Sequence, residues 1–66
     1  MLAVERRKQI LEQVHKDKKV IVSELSKQFH VSEETIRRDL EKLADEGHVI
    51  KSYGGAVINE IGSIDL

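Results

Sequence analysis

Two adjacent arginines, Arg37 and Arg38, stand in the run Ser32-Glu33-Glu34-Thr35-Ile36-Arg37-Arg38-Asp39-Leu40. A guanidinium is planar and permanently charged, so it can pair with a guanine edge through two hydrogen bonds or hold a phosphate. The serine that opens the run is a preferred helix cap, and the two glutamates after it complement the dipole of a first helical turn. With Ile36 turned to a core, the helical period puts Arg38 about 200° around the axis and Arg37 about 100° around it. Arg38 then faces away from the core and Arg37 lies on its flank. The spacing leaves base reading and phosphate holding open to either one.

The neighbours carry weaker signals. Ser32 is a cap or, through the amides it caps, a phosphate contact. Glu34 can accept from cytosine or serve as a dipole-favouring surface charge. Thr35 falls on the outer flank, where it is a contact or a bystander. After twelve intervening residues beyond Leu40 come Tyr53-Gly54-Gly55-Ala56, which read as a hairpin tip with Lys51 and Tyr53 beside it. Gly54 and Gly55 permit close approach to a backbone and also satisfy turn geometry, while Tyr53 either reaches outward or packs on the hairpin. Asp39 is acidic on the same helix as the arginines, so its expected role is structural, with Arg6 as its partner. An exposed pair of that kind is worth about 0–1 kcal/mol, and more if partly buried.

These residues need elements to hold them. Ala3, Arg7, Ile10, Leu11 and Val14 recur at helical spacing and predict a helix over 3–16, with Arg7 the break in its apolar stripe. Val20-Ile21-Val22 predicts a brief strand. Ser23 is expected to cap a second helix over 24–29, with Leu25 and Phe29 on its buried face. The third helix runs from Ser32 to a stop at Gly47, with Ile36, Leu40, Leu43 and Ala44 on its core stripe. Strands over 48–52 and 56–58 are expected to meet at a two-residue turn of the primed type, Gly54-Gly55. Ser26 is small, His30 can visit positive φ, and Ile36 is branched, at the spacing of a helix-turn-helix. The fold class expected is small α+β: a winged helix-turn-helix of three helices and a short hairpin wing, which presents one helix to a DNA groove. Residues 1–58 form that domain and 59–66 a linker.

Bulk properties bound the alternatives. Sixty-six residues hold one small core, and the absence of cysteine removes thiolate chemistry and disulfide staples and fits a reducing cytoplasm. No run is long and apolar enough for a membrane span. His15, His30 and His48 have no acid or thiol arranged around them, and no nucleophile–base pairing is visible, so no metal, cofactor or enzymatic activity is expected. The net charge of −1 is unusual for a DNA binder. Its distribution is uneven: six bases against three acids in residues 1–20, four against seven in 21–47, and one against two in 48–66. Affinity for phosphate alone should therefore be modest unless the domain is dimerised. The acidic balance leaves a second reading, a winged-helix module that binds protein rather than nucleic acid, which an exposed apolar patch on the third helix would favour.

The chain resembles the N-terminal DNA-binding domain of the DeoR family of bacterial transcription regulators, most of which repress sugar-catabolism operons. Arg6, Ile10 and Val14 fill the first places of the family pattern, and Ser32, Thr35, Ile36, Arg37, Arg38, Asp39 and Leu40 fill the rest. Gly54-Gly55-Ala56 is similar to the family's wing tip, and the likeness covers residues 1 to about 58. It implies binding to double-stranded operator DNA through Ser32, Glu34, Thr35, Arg37, Arg38, Lys51, Tyr53, Gly54 and Gly55. It also implies a bacterial cytoplasmic, nucleoid-associated regulator whose longer C-terminal domain, not contained in these residues, binds a phosphorylated sugar and makes homo-oligomers. The 66-residue chain by itself is expected to be monomeric.

Overall fold

The computed structural model describes residues 1–60, so the linker expected over 59–66 lies, from residue 61 onward, outside the described residues. Helix α1 spans Ala3–Asp17, strand β1 Lys19–Ile21, helix α2 Val22–Phe29, helix α3 Glu33–Asp45, strand β2 Val49–Ser52 and strand β3 Gly55–Ile58. The three strands form one antiparallel sheet in the order β1-β3-β2. This is a small α+β winged helix-turn-helix, with the β2–β3 hairpin as the wing.

The core is built by every element. Ile10 and Val14 of α1, Val20 of β1, Val22 and Leu25 of α2, Ile36, Leu40 and Leu43 of α3, Val49 of β2 and Ala56 of β3 are all buried. Phe29, expected in the core, packs against it while remaining partly exposed. Ala3, placed on the α1 stripe by its spacing, is exposed, because contact with the core begins only further along the helix.

Three local expectations are corrected. Ser23 does not cap α2. The helix begins one residue earlier, at Val22, behind Ile21 and without a side-chain cap, and the Ser23 carbonyl accepts from the Ser26 hydroxyl at 3.1 Å. The strand accordingly ends at Ile21, and the Val22 amide donates to the Gly54 carbonyl at 2.8 Å. That bond joins the start of α2 to the wing. The hairpin loop is Tyr53-Gly54, with Ser52 paired to Gly55. Of its two residues only Gly54 has positive φ, at 77°, so the turn is not of the primed type, whose first central residue must have positive φ.

The helix ends follow their expected chemistry. His30 sits at φ 58°, the left-handed residue between α2 and α3. After α3, Gly47 lies at φ 85°, and its amide donates to Ala44 at 3.0 Å while that of His48 donates to Leu43 at 2.9 Å. This is the paired closure of a Schellman stop, where glycine escapes the left-handed penalty. A Cβ on Gly47 would meet no atom within 4 Å, so substitution there strains the backbone alone. Gly47→Val should lower stability by about 1–3 kcal/mol. Equal denaturation midpoints for variant and parent would refute that conformation.

Candidate nucleic-acid interface

Helix α3 opens with the cap expected of it. The Ser32 hydroxyl accepts from the Thr35 amide at 3.1 Å and lies 2.9 Å from the Thr35 hydroxyl. Capping thus engages both side chains, although Ser32 remains exposed and Thr35 half-buried.

Arg37 and Arg38 both project into solvent, and each is joined to a glutamate one turn earlier. The Arg37 Nη2 donates to Glu33 Oε1 at 3.0 Å and the Arg38 Nη2 to Glu34 Oε1 at 2.7 Å. Arg38 is the freer of the two, its side chain 77% exposed against 62% for Arg37. Arg37 lines the clefts that separate α3 from the wing, beside Lys51 in one and beside Tyr53 in the other, with Gly54 common to both. Lys51 reaches back to Glu41 of α3, Nζ to Oε2 at 3.4 Å. Tyr53 does not pack on the hairpin; it is fully exposed at the wing tip.

Gly54 and Gly55 have different reasons to be glycine. Gly54 takes the positive φ of the turn. Gly55 lies opposite Ile21 across the β1–β3 pairing, where a Cβ would come within 2.0 Å of the Val20 carbonyl oxygen. The described site residues therefore lie along one helix and the hairpin beside it, with Gly55 buried against β1.

Asp39 faces the other way and is 3% exposed. Its carboxylate accepts from the Arg6 Nε and Nη2, the latter at 3.1 Å, and lies 3.5 Å from Arg7 Nη1. The hydrogen bonds from Arg6 to this carboxylate raise the arginine's pKa, against the lowering effect of burial. Arg7, the break in the α1 stripe, thus has a partner in the interior. The expected Arg6–Asp39 pair is part of a cluster in which a buried carboxylate meets two part-buried arginines, and it joins α1 to the helix carrying the exposed arginines.

From the sequence alone, Glu33 and Glu34 read only as dipole or surface charges or, for Glu34, a base contact. Their pairing with the arginines was missed, although the four-residue spacing of Glu33 to Arg37 and Glu34 to Arg38 is the signal for such pairs. Glu41 could not be found that way, since its partner Lys51 lies on a different element, β2. Among the described residues, no large apolar side chain is exposed on α3, so the feature that would mark a protein-binding helix is missing there. No group of three His, Cys, Asp or Glu gathers among them, and no helix among them is long and apolar enough to cross a membrane.

Residues 6–61 match the DeoR-like helix-turn-helix domain. The chain is 54% identical over 57 residues to the uncharacterized HTH-type transcriptional regulator YulB of Bacillus subtilis, covering 86% of this chain and 22% of that protein. It is 47% identical over 51 residues to the L-fucose operon activator of Haemophilus influenzae, covering 77% and 20%. To the glycerol-3-phosphate regulon repressor of Escherichia coli K12 it is 38% identical over 58 residues, covering 88% and 23%. The chain therefore spans about a fifth of the length of these relatives. No solved structure matches it significantly. The reach of the domain match, together with a winged helix that carries two arginines on its exposed face, places this chain in the DeoR-like helix-turn-helix family.

Proposed function

We infer that this chain is the sequence-specific duplex-binding module of a bacterial transcription regulator, acting as a repressor of sugar-metabolism genes. Helix α3 enters the major groove, with Arg37 and Arg38 at base edges or phosphates, and Ser32, Glu34 and Thr35 of its N-terminal turns face the same groove. Lys51, Tyr53 and Gly54 of the wing, supported by Gly55, meet the adjacent backbone. Occupancy of an operator then excludes polymerase. The observation that carries this reading is the exposure of both arginines on α3 directly beside the wing.

The relatives extend the proposal beyond these residues. They are regulators about five times as long, two of them named for fucose and glycerol-3-phosphate. The complete regulator would work in the bacterial cytoplasm at the nucleoid. Residues 1–58 are its DNA-binding domain, and 59–66 lead toward an oligomerising domain that takes a phosphorylated sugar. Alone, the 66-residue chain is monomeric and holds a half-site weakly, which a tandem arrangement of two copies would strengthen.

Selection of the chain against random duplexes tests the module itself. One enriched sequence, bound with affinity that falls as salt rises, is expected; enrichment of no sequence would refute specificity. Lys51→Ala should then weaken the selected and a scrambled duplex alike and lower the salt slope by about one unit, as loss of one phosphate contact does. A change confined to the selected duplex would make Lys51 a base reader instead.

A further inference from the structure

Each basic side chain of the proposed reading face carries its own acid. Arg37 is bonded to Glu33 at 3.0 Å, Arg38 to Glu34 at 2.7 Å, and Lys51 lies 3.4 Å from Glu41. All three acids belong to α3. The face that would meet a polyanion therefore brings three formal positive charges and three formal negative ones. We propose that Glu33 and Glu34 are specificity-determining positioning residues, which hold the two arginines for neutral base edges and disfavour their capture by phosphate.

The geometry allows this division. An arginine presents five N–H donors in a fixed fork, and the bond to glutamate uses one Nη2 in each case. The remaining donors stay available for a guanine O6 and N7, while the glutamate restricts the rotamers of the long side chain. A guanine edge has no net charge, so a nearby carboxylate costs it little. A phosphate oxygen brought to the same guanidinium must approach that carboxylate closely, and like charges at such range repel. Binding without sequence preference depends almost wholly on phosphate neutralisation. The glutamates thus penalise the wrong complexes more than the right one, which is how specificity is gained by repulsion.

The inference rests on the DNA-binding reading above and can fail separately from it. Glu33→Gln and Glu34→Gln keep a carbonyl oxygen for the arginine and remove only the charge. Both positions are exposed, so circular dichroism should show each variant folded. Affinities would be measured for the duplex recovered by selection and for a scrambled duplex of equal length, across a salt series. Each variant should bind the scrambled duplex about fivefold more tightly at about 0.15 M salt, with a slope steeper by about one unit, the effect of one more neutralised phosphate. For Glu33→Gln the selected duplex should gain no more than about twofold, so that discrimination narrows. For Glu34→Gln, whose side chain also faces the groove, the readout is the ratio of selected to scrambled affinity, which should fall. Glu12→Gln, which removes the same charge from an exposed position on α1, should leave the ratio of the two affinities at its parental value. An equal gain for both duplexes with Glu33→Gln and Glu34→Gln would overturn the proposal and reduce the glutamates to diffuse surface charge. No change for either duplex would overturn it as well. A parent chain that prefers no duplex would instead overturn the DNA-binding reading itself.

Discussion

Asp39→Ala is expected to lower folding stability by about 2–4 kcal/mol, because it strands two part-buried guanidinium groups without their shared carboxylate. A surface ion pair could not produce that effect; exposed pairs are worth about 0–1 kcal/mol. The difference lies in burial. Asp39 is 3% exposed, the Arg6 side chain is 11% exposed, and a guanidinium left unpaired there regains water only in part. At roughly 0.05–0.15 kcal/mol per residue, a domain of this size has about 3–10 kcal/mol in total. The loss is therefore a large fraction of the total, and the urea midpoint should fall sharply. Urea denaturation followed by circular dichroism measures it, and a loss below about 1 kcal/mol would show the cluster to be solvated. Replacing Arg6 and Asp39 together with apolar residues should recover part of the loss, since the charge that needs a partner is removed along with it.

Gly55→Ala is expected to be the second severe change. Its Cβ would lie 2.0 Å from the Val20 carbonyl oxygen and 3.0 Å from the carbonyl carbon. Both obstacles are backbone, so no side chain can swing aside, and β1 must separate from β3. Overpacking in a core costs about 1–3 kcal/mol where neighbours can yield, and here the cost should reach or exceed the top of that range. The pairing at risk is Ile21 with Gly55, next to the Val22–Gly54 bond that ties α2 to the wing. Hydrogen exchange should show the amides of β1 and β3 losing protection before those of α3. Parental stability in Gly55→Ala would mean that the two strands are further apart than described.

The contrast between the two glycines shows where sequence reasoning reached and where it stopped. Gly54 could be read from the sequence because a hairpin turn needs positive φ, a local requirement. Gly55 could be read only as half of the same turn, since its true constraint comes from β1, more than thirty residues earlier. The same division runs through the rest of the chain. Ser32, His30 and Gly47 act within a few residues of themselves, and their cap, left-handed link and helix stop were legible. The Arg6–Asp39 pairing was legible as well, from an acid standing on the same helix as the arginines, but its burial and the recruitment of Arg7 depend on how closely α1 packs on α3. The start of α2 was misplaced because serine is the better local cap, whereas the bond from Val22 to the wing settles the boundary from a distance. At the site, the exposed arginines followed from periodicity and the Glu41–Lys51 contact did not, since it crosses between elements.

If α3 is the reading head, removing its two arginines must abolish recognition. Arg37→Ala and Arg38→Ala should each weaken binding to the selected duplex by about 1–3 kcal/mol, with at least one relaxing preference at a single base pair. The double variant should retain the parental circular dichroism spectrum, because neither side chain enters the core. Titration of the folded double variant against the selected duplex is the decisive measurement. Loss of specific binding is the predicted result, and parental affinity in a folded double variant would contradict the claim that α3 reads DNA.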